Sequence, residues 1–163
     1  MEIYEKIDRQ TLIAFSGEHL FYEIRMLYGV SEVLLKGVND FCIHNALLES
    51  YVIHASIILD FFYQPQDTTD DARAAHYMND VRKWKKILPA HDPVFSKFHK
   101  KRNKEVVHLS YKRLEVKPEE KKWGVAAMTE KIKNLVNLFL DHANPDVLHP
   151  KMYELRRRKE KSV

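Results

Sequence analysis

Apolar residues recur at helical spacing along most of this 163-residue chain. Between about residues 9 and 36, leucine and isoleucine return at Leu20, Ile24, Leu27 and Leu34, with glutamates between them. This spacing places the apolar side chains on one side of an α-helix and the acidic ones on the other. The pattern therefore predicts a long amphipathic first helix.

A second helix is predicted from about residue 40 to residue 63, after a break at Gly37 and Asn39. Its apolar positions surround most of the helix circumference instead of one side. They are Phe41, Leu48, Val52, Ile58, Leu59 and Phe62. A helix that is apolar all round is normally buried all round, so we expect this one to be the central and most buried helix.

Three further helices complete the pattern. They are predicted over about 70–87, about 93–113, and from Pro118 to about Ala143, with proline-containing loops between them. No alternating strand pattern competes with them. We therefore predict an all-α fold, a four- to five-helix antiparallel bundle in a single domain of residues 1–150. Residues 151–163 are predicted to be a basic, flexible tail.

Composition excludes several kinds of chemistry. The single cysteine, Cys42, rules out an internal disulfide framework and a cysteine-rich zinc site. The 4 glycines form no phosphate-binding loop, and no two of the 9 histidines have the His-x-x-x-His spacing of a helical metal site. No metal or cofactor is therefore expected. The acidic start at Met1–Lys6 differs from a secretory signal, and the apolar run 51–63 is too short to span a membrane. We expect a soluble, cytoplasmic protein.

The net charge of +4 conceals a strong segregation of charge along the chain. Residues 1–81 carry 5 Lys/Arg against 13 Asp/Glu, a net charge of −8, whereas residues 82–113 carry 11 against 2, a net charge of +9. A basic block of this kind is typical of proteins with an anionic partner. Alternatively, the block packs beside the acidic first half of the chain. The sequence leaves both interpretations open.

The basic block contains the most informative stretch of the chain, Lys100–Tyr111, in which Arg102 precedes His108 by six residues. Histidine moves protons near neutral pH. The planar guanidinium of arginine holds a phosphate and stabilises the charge that develops on it. These two residue types are the minimal side-chain set for cleaving RNA without a metal ion.

On a straight helix, Arg102 and His108 would lie roughly 120° apart, so their side chains would not stack. The apolar positions that share a face with Arg102 are Phe95, Phe98, Val106 and Leu109. Cooperation between Arg102 and His108 therefore requires a kink between them, a curled arginine side chain, or a second subunit that completes the site.

The Arg–His spacing resembles the Arg-x(4–6)-His element of the HEPN superfamily, which comprises small helical ribonucleases and RNA-binding domains. HEPN-type toxins and phage-defence proteins commonly carry Arg-Asn ahead of the histidine and a tyrosine after it, which here read Arg102-Asn103, His108 and Tyr111. The spacings in this chain are one residue longer than in the usual toxin form. The resemblance covers about residues 40–113, since the segment Asn45–Phe62 is also similar to small HEPN-like proteins.

The resemblance implies a HEPN-like bundle that forms a homodimer and, in a toxin–antitoxin or phage-defence setting, has an antitoxin or other regulatory partner. RNA is then the candidate substrate, and cleavage would leave a 2′,3′-cyclic phosphate. Arg102 and His108 would be the catalytic residues, while Asn103 and Tyr111 would hold the phosphate or the base. The remaining phosphate contacts are assigned to Lys101 and Lys104.

The alternative is a non-catalytic helical interaction or nucleotide-binding domain. Arg102 would then be structural and would form an ion pair across the bundle with Asp60 or Glu49, because a buried carboxylate needs such a partner. His108 would be a partly buried histidine that donates to a backbone carbonyl. The two hypotheses therefore differ in whether Arg102 is expected to have a carboxylate partner.

Overall fold

The chain folds into helices in the order that its periodicity predicts. The structure is a computed structural model in which residues 7–64, 70–107, 109, 111–117 and 122–156 are described. These residues contain no β-strand, which confirms the all-α prediction. Their α-helices are α1 (Arg9–Phe15), α2 (Phe21–Lys36), α3 (Phe41–Tyr63), α4 (Val81–Ile87), α5 (Pro93–Arg102) and α6 (Val125–His142).

The predicted first helix is present, but a π-helical turn at Ser16–Leu20 joins α1 to α2. The C-terminal part of the chain crosses the helix at this turn. A Cβ on Gly17 would lie 2.6 Å from Cγ of His149, so only glycine lets the two segments approach so closely. The hydroxyl of Ser16 accepts a hydrogen bond from the His149 amide at 3.0 Å. The close crossing and the π turn therefore occupy the same place.

Asp40 caps the N-terminus of α3, where its carboxylate accepts a hydrogen bond from the Ile43 amide at 2.8 Å. It packs antiparallel to α2 and also contacts α6. Tyr51, Val52 and Ile58 are fully buried on this side. The helix therefore supplies the centre of the core, as its apolar sequence predicts.

The opposite side of α3 is uncovered in the described structure, although α3 has more buried residues than any other described helix. Ile43, Ile53 and Ile57 are 55%, 48% and 44% exposed. The physical reason is that this chain supplies covering helices for only one side. Within the described residues, α3 is the one helix long and apolar enough to span a bilayer, but 50% of its most apolar stretch is buried in the fold. That burial favours a core helix of a water-soluble protein.

The predicted third helix, 70–87, is shorter in the structure. A 3-10 turn at Ala74–Tyr77 comes first, and α4 begins only at Val81. The reason is local, because the carboxylate of Asp80 accepts a hydrogen bond from the Lys83 amide at 2.9 Å and so caps a new helix there.

The fourth and fifth helices also differ from their predicted bounds. After α5 ends at Arg102, a π-helical turn occupies Asn103–Val107 and a 3-10 turn occupies Tyr111–Glu115. Helix α6 begins after Gly124, whose positive φ of 56° interrupts helical geometry. The predicted start at Pro118 lies outside the described residues.

The packed chain continues past the predicted boundary at residue 150. A 3-10 helix at Pro150–Leu155 buries Met152 and Leu155 in the core. These two apolar side chains anchor the segment. Its basic sequence surroundings are what make it resemble a solvated tail. The rest of the predicted tail, 157–163, lies outside the described residues.

An aromatic cluster around Phe139 of α6 joins three helices. The rings of Phe61, Tyr77 and Trp84 meet Phe139 edge to face, with centroids 5.4, 5.7 and 6.5 Å away. Phe139 is completely buried. Edge-to-face contacts of this kind add to the free energy of burial, so the cluster fixes the far end of α3 against α4 and α6.

We predict that Phe139→Ala lowers the free energy of unfolding by about 3–5 kcal/mol, because it removes a buried ring and leaves a cavity. Chemical denaturation measures the change. The matched control is Asn134→Ala on the exposed side of α6, which should stay within about 0.5 kcal/mol of the wild type. A loss below 1 kcal/mol for Phe139→Ala would show that this ring is not central to the core.

Candidate functional site

Helix α5 is held at one end of the bundle by two phenylalanines. Asp92 caps its N-terminus by accepting a hydrogen bond from the Val94 amide at 2.8 Å. Phe95 and Phe98 are 3% and 5% exposed. The Phe95 ring lies 5.8 Å from that of Tyr63 on α3. This anchoring fixes one face of α5 and leaves the other face to the solvent.

Arg102, the last residue of α5, is half-buried, and its Nε donates a hydrogen bond to Oδ1 of Asn103 at 3.1 Å. Within the described residues its guanidinium forms no ion pair. Asp60, one of the two expected partners, lies 3.8 Å from Nε2 of His99. Glu49, the other, lines a cavity with Arg113. The cross-bundle ion pair required by the structural alternative is thus not formed in the described part of the chain.

His99 is the site residue that the sequence argument missed. It lies three residues before Arg102, so the two side chains are neighbours on one helix face. Burial lowers the pKa of His99, Asp60 opposes this effect, and the charges of Arg102 and His91 lower the pKa further. A lowered pKa keeps the imidazole neutral at pH 7 and able to accept a proton. The i,i+3 spacing is the signal that would have found it.

The other predicted site residues are distributed around Arg102. Asn103 and Lys104 are exposed, and the ring of Tyr111 is 94% exposed. The side chain of Lys101 instead contacts other residues of the same chain. Its Nζ lies 4.6 Å from the Trp123 ring centre, 3.8 Å from Glu105 and 2.9 Å from the carbonyl of Lys122. Lys101 therefore ties the end of α5 to the segment before α6. His108 lies outside the described residues.

The backbone changes geometry directly after Arg102. The π-helical turn Asn103–Val107 replaces the straight helix that would separate residues 102 and 108 by 120°. Arg113, in the 3-10 turn, donates a hydrogen bond from Nε to the carbonyl of Lys104 at 2.9 Å. This bond holds the 3-10 turn against the π turn. π-Helical turns frequently occur at functional sites. Leu109, expected on the buried face, is 94% exposed because the helix has ended before it.

Much of the basic block faces the solvent. Six of its side chains are exposed and form no ion pair among the described residues: Arg82, Lys83, Lys86, Lys97, Lys100 and Lys104. The contact of 3.8 Å between Nε2 of His99 and the carboxylate of Asp60 joins α5 to the acidic first half there. The exposure of these charges favours the interpretation in which the block meets an anionic partner. No group of three or more His, Cys, Asp or Glu side chains in the described part of the chain is placed to hold a metal ion.

Comparison with known proteins adds no family assignment. No protein-family model matches the chain, and neither a curated protein nor a solved structure matches it significantly. The features of the chain that bear on its function are therefore the surroundings of Arg102 and the exposed cations of α4 and α5. The HEPN resemblance stays a prediction from the motif.

We predict that the pKa of His99 responds in opposite directions to its two charged neighbours. Arg102→Ala should raise it, because a nearby positive charge is removed, and Asp60→Asn should lower it, because a negative charge is removed. An NMR titration of the imidazole protons measures both shifts. Lys83→Ala removes a positive charge from another helix and serves as the control. An unchanged His99 pKa in both variants would contradict the described arrangement.

Proposed function

We propose that the protein binds RNA through the exposed surface of α5 and the turn that follows it, and cleaves the RNA without a metal ion. The observation that carries the proposal is the guanidinium of Arg102, which has no carboxylate partner among the described residues and stands at the end of a helix with exposed lysines. Such a cation has its charge available for a phosphate.

The neighbours of Arg102 suit an RNA backbone. Arg102 would hold the scissile phosphate with its planar fork and stabilise the additional negative charge of the transition state. Asn103 accepts from Arg102 and so orients the guanidinium. Lys104, with Lys97 and Lys100, would contact adjacent phosphates, and the exposed ring of Tyr111 would stack on a base. Lys101 would contribute mainly by holding α5 in place.

The reaction is an attack of the ribose 2′-oxygen on the adjacent phosphorus. The bond from phosphorus to the 5′-oxygen breaks, which leaves a 2′,3′-cyclic phosphate and a 5′-hydroxyl. One group must take the proton of the 2′-hydroxyl and another must protonate the 5′-oxygen. His108 is the residue that the motif assigns to this proton transfer. His99, kept neutral beside Arg102, is a second candidate for the base.

The setting that the HEPN resemblance implies completes the proposal. The protein would act in the cytoplasm in a toxin–antitoxin or phage-defence system, as a homodimer restrained by an antitoxin or other regulatory partner. The alternative function is a non-catalytic interaction or nucleotide-binding domain. It is supported by the tie of Lys101 to Trp123, which uses one of the proposed phosphate ligands for packing.

We expect the purified protein to cleave total RNA in the presence of EDTA, and His108→Ala and Arg102→Ala each to lower the rate by a factor of about 100 or more. The readout is the formation of fragments that end in 2′,3′-cyclic phosphate. Arg82→Ala, an exposed arginine of the same basic block on α4, is the matched control and should retain most of the activity.

Thermal unfolding of the same variants separates chemistry from folding. Because Arg102 has no ion-pair partner in the described structure, Arg102→Ala should melt close to the wild-type temperature. A large loss of stability together with unchanged cleavage would favour the structural alternative instead. Absence of both RNA binding and RNA cleavage in a folded protein would contradict the proposal.

The homodimer is supported by a contiguous apolar surface on α2 and α3, here called the α2–α3 face. The ring of Tyr22 on α2 contacts that of His54 on α3 at 5.8 Å, and Tyr22, Ile53 and Ile57 are all exposed. The face consists of Tyr22, Gly29, Val33, Ile43, Ala46, Ser50, Ile53 and Ile57. Contiguous apolar surface of this kind on a soluble protein marks an interface.

The register of the α2–α3 face is self-complementary. If two α3 helices pair antiparallel about a two-fold axis at Ser50, Ile43 faces Ile57 of the partner subunit. Ile53 then faces the small side chain of Ala46 and its neighbour Leu47 there. Two-fold interfaces require this kind of pattern. Gly29 contributes a second small position, since no atom lies within 4 Å of the place where its Cβ would be.

We predict that the wild-type protein sediments as a dimer and that Ile53→Asp converts it to a monomer, because each of two symmetric copies would bury a carboxylate at the interface. Sedimentation equilibrium measures the mass. Val94→Asp, at a similarly exposed valine of α5, is the control and should leave the dimer intact. A wild-type monomer at high micromolar concentration would exclude this interface.

A further inference from the structure

A cavity of about 320 Å³ lies beside the π turn that follows Arg102. Its walls come from α3, from the π turn and the 3-10 turn after it, and from the segment before α6. The volume lies at the lower end of the range for small-molecule sites, which suits a single planar ring system. The lining residues that carry its chemistry are Asn45, Glu49, Glu105, Arg113 and Trp123.

Contacts within the chain hold the walls of this cavity in place. Arg113 donates from Nε to the carbonyl of Lys104 at 2.9 Å, which joins the 3-10 turn to the π turn. The ammonium of Lys101 lies 3.8 Å from Glu105 and 4.6 Å from the ring centre of Trp123. Because Lys101 and Lys104 flank the proposed phosphate site in the sequence, these contacts fix the cavity next to that site.

The charge of the cavity disfavours a phosphate. Glu49 and Glu105 place two carboxylates against the one guanidinium of Arg113, whereas phosphates suit the exposed lysines of α5. A basic side chain of a partner is also disfavoured, because Lys101 already places a cation beside Glu105 and Trp123. An uncharged ring with hydrogen-bonding edges, which describes a nucleobase, meets neither objection.

Asn45 and Glu49 form a hydrogen-bonding edge on one face of α3, since they are four residues apart. The carboxylate of Glu49 can only accept hydrogen bonds, and it forms no ion pair among the described residues. Nδ2 of Asn45 donates to the carbonyl of Phe41 at 2.8 Å, and an amide nitrogen carries a second hydrogen. The edge therefore offers two acceptor oxygens beside one donor.

Guanine is the base whose Watson–Crick edge complements this arrangement. It presents two adjacent donors, the exocyclic amine and N1–H, followed by the acceptor O6. The other three bases each present an acceptor where guanine has one of these donors, and that acceptor would face a carboxylate oxygen. Single-stranded RNA is commonly recognised by hydrogen bonds to this edge together with contact between the base and an aromatic ring.

We infer that the cavity binds a guanine base of the RNA. The exocyclic amine and N1–H donate to Glu49, O6 accepts from Asn45, and the ring lies against Trp123. This inference rests on the proposed function and deepens it, because it makes guanosine the nucleoside next to the scissile phosphate at Arg102. Cleavage is then confined to bonds adjacent to guanosine.

Fluorescence anisotropy with labelled RNAs tests the inference. The probes are short uridine RNAs with a single central guanosine, adenosine or cytidine, and 2′-fluoro sugars prevent the wild-type protein from cleaving them. We expect the guanosine RNA to bind about tenfold or more tightly than the others. Glu49→Gln should remove this preference and leave the affinity for all-uridine RNA unchanged. Glu32→Gln, which removes an exposed carboxylate from α2, is the matched control and should keep the preference.

The outcomes distinguish this inference from the proposed function. Equal affinity for all of the RNAs overturns the guanine pocket and leaves the proposed RNA surface intact. A guanine preference that Glu49→Gln retains also overturns the assignment, since another part of the protein then recognises the base. Absence of RNA binding to the folded wild type overturns both. A guanine preference without cleavage of natural RNA supports the pocket and overturns only the proposed reaction.

Thermal melting shows whether the variants are folded. Glu49 is exposed and forms no ion pair in the described structure, so Glu49→Gln should melt close to the wild-type temperature. If it does not fold, Asn45→Ala takes its place, because loss of the donor to O6 should also lower the guanine preference. An unchanged preference in a folded Asn45→Ala variant would then overturn the assignment.

Discussion

Helix α3 packs against α2, α5 and α6 and so determines where these three helices lie. Tyr51, in the middle of its buried side, reaches α6 with its hydroxyl, which donates to the carbonyl of Val125 at 3.2 Å and shares a hydrogen bond with Thr129 at 3.0 Å. Burial raises the pKa of Tyr51 to about 12, so the hydroxyl stays a neutral donor across the physiological range. Since a buried hydroxyl without a partner costs free energy, these bonds select one position of α6 against α3.

The same helix positions the candidate site at its C-terminal end. Tyr63 contacts Phe95, and Asp60 lies beside His99, so the last turn of α3 fixes the anchored face of α5. Arg102 is consequently placed by hydrophobic packing that begins two turns earlier on its own helix. A guanidinium positioned in this way needs no carboxylate to keep its place, which explains how its charge stays available for a ligand.

The sequence predicted what depends on periodicity and local spacing. The helices at 9–36 and 40–63 follow from apolar residues that recur every three to four positions, and their observed ends agree closely with the prediction. The predicted helix at 70–87 was wrong because Asp80 starts a new helix through its own side chain. No average over a window of residues detects such a single capping bond.

Contacts between residues that are distant along the chain could not be predicted from the sequence. Asp60 and His99 are 39 positions apart, and only packing decides that Asp60 meets His99 instead of Arg102. Lys133 of α6 likewise meets the ring of Tyr28 on α2 only because the two helices pack together. The one-sided burial of α3 could not be predicted either. A helix with an apolar circumference has the same sequence pattern whether its own chain or a partner covers it.

The distribution of unpaired charge follows from these contacts. Like charges on a surface repel and lower the stability of the folded state unless counter-charges lie near them. This chain has 23 acidic residues, enough to neutralise most of its 27 Lys and Arg. Yet it leaves exposed cations of α4 and α5 without carboxylate partners in the described structure, and holds Lys133 and Lys151 by aromatic rings. On α4 and α5, a bound anion would relieve this repulsion.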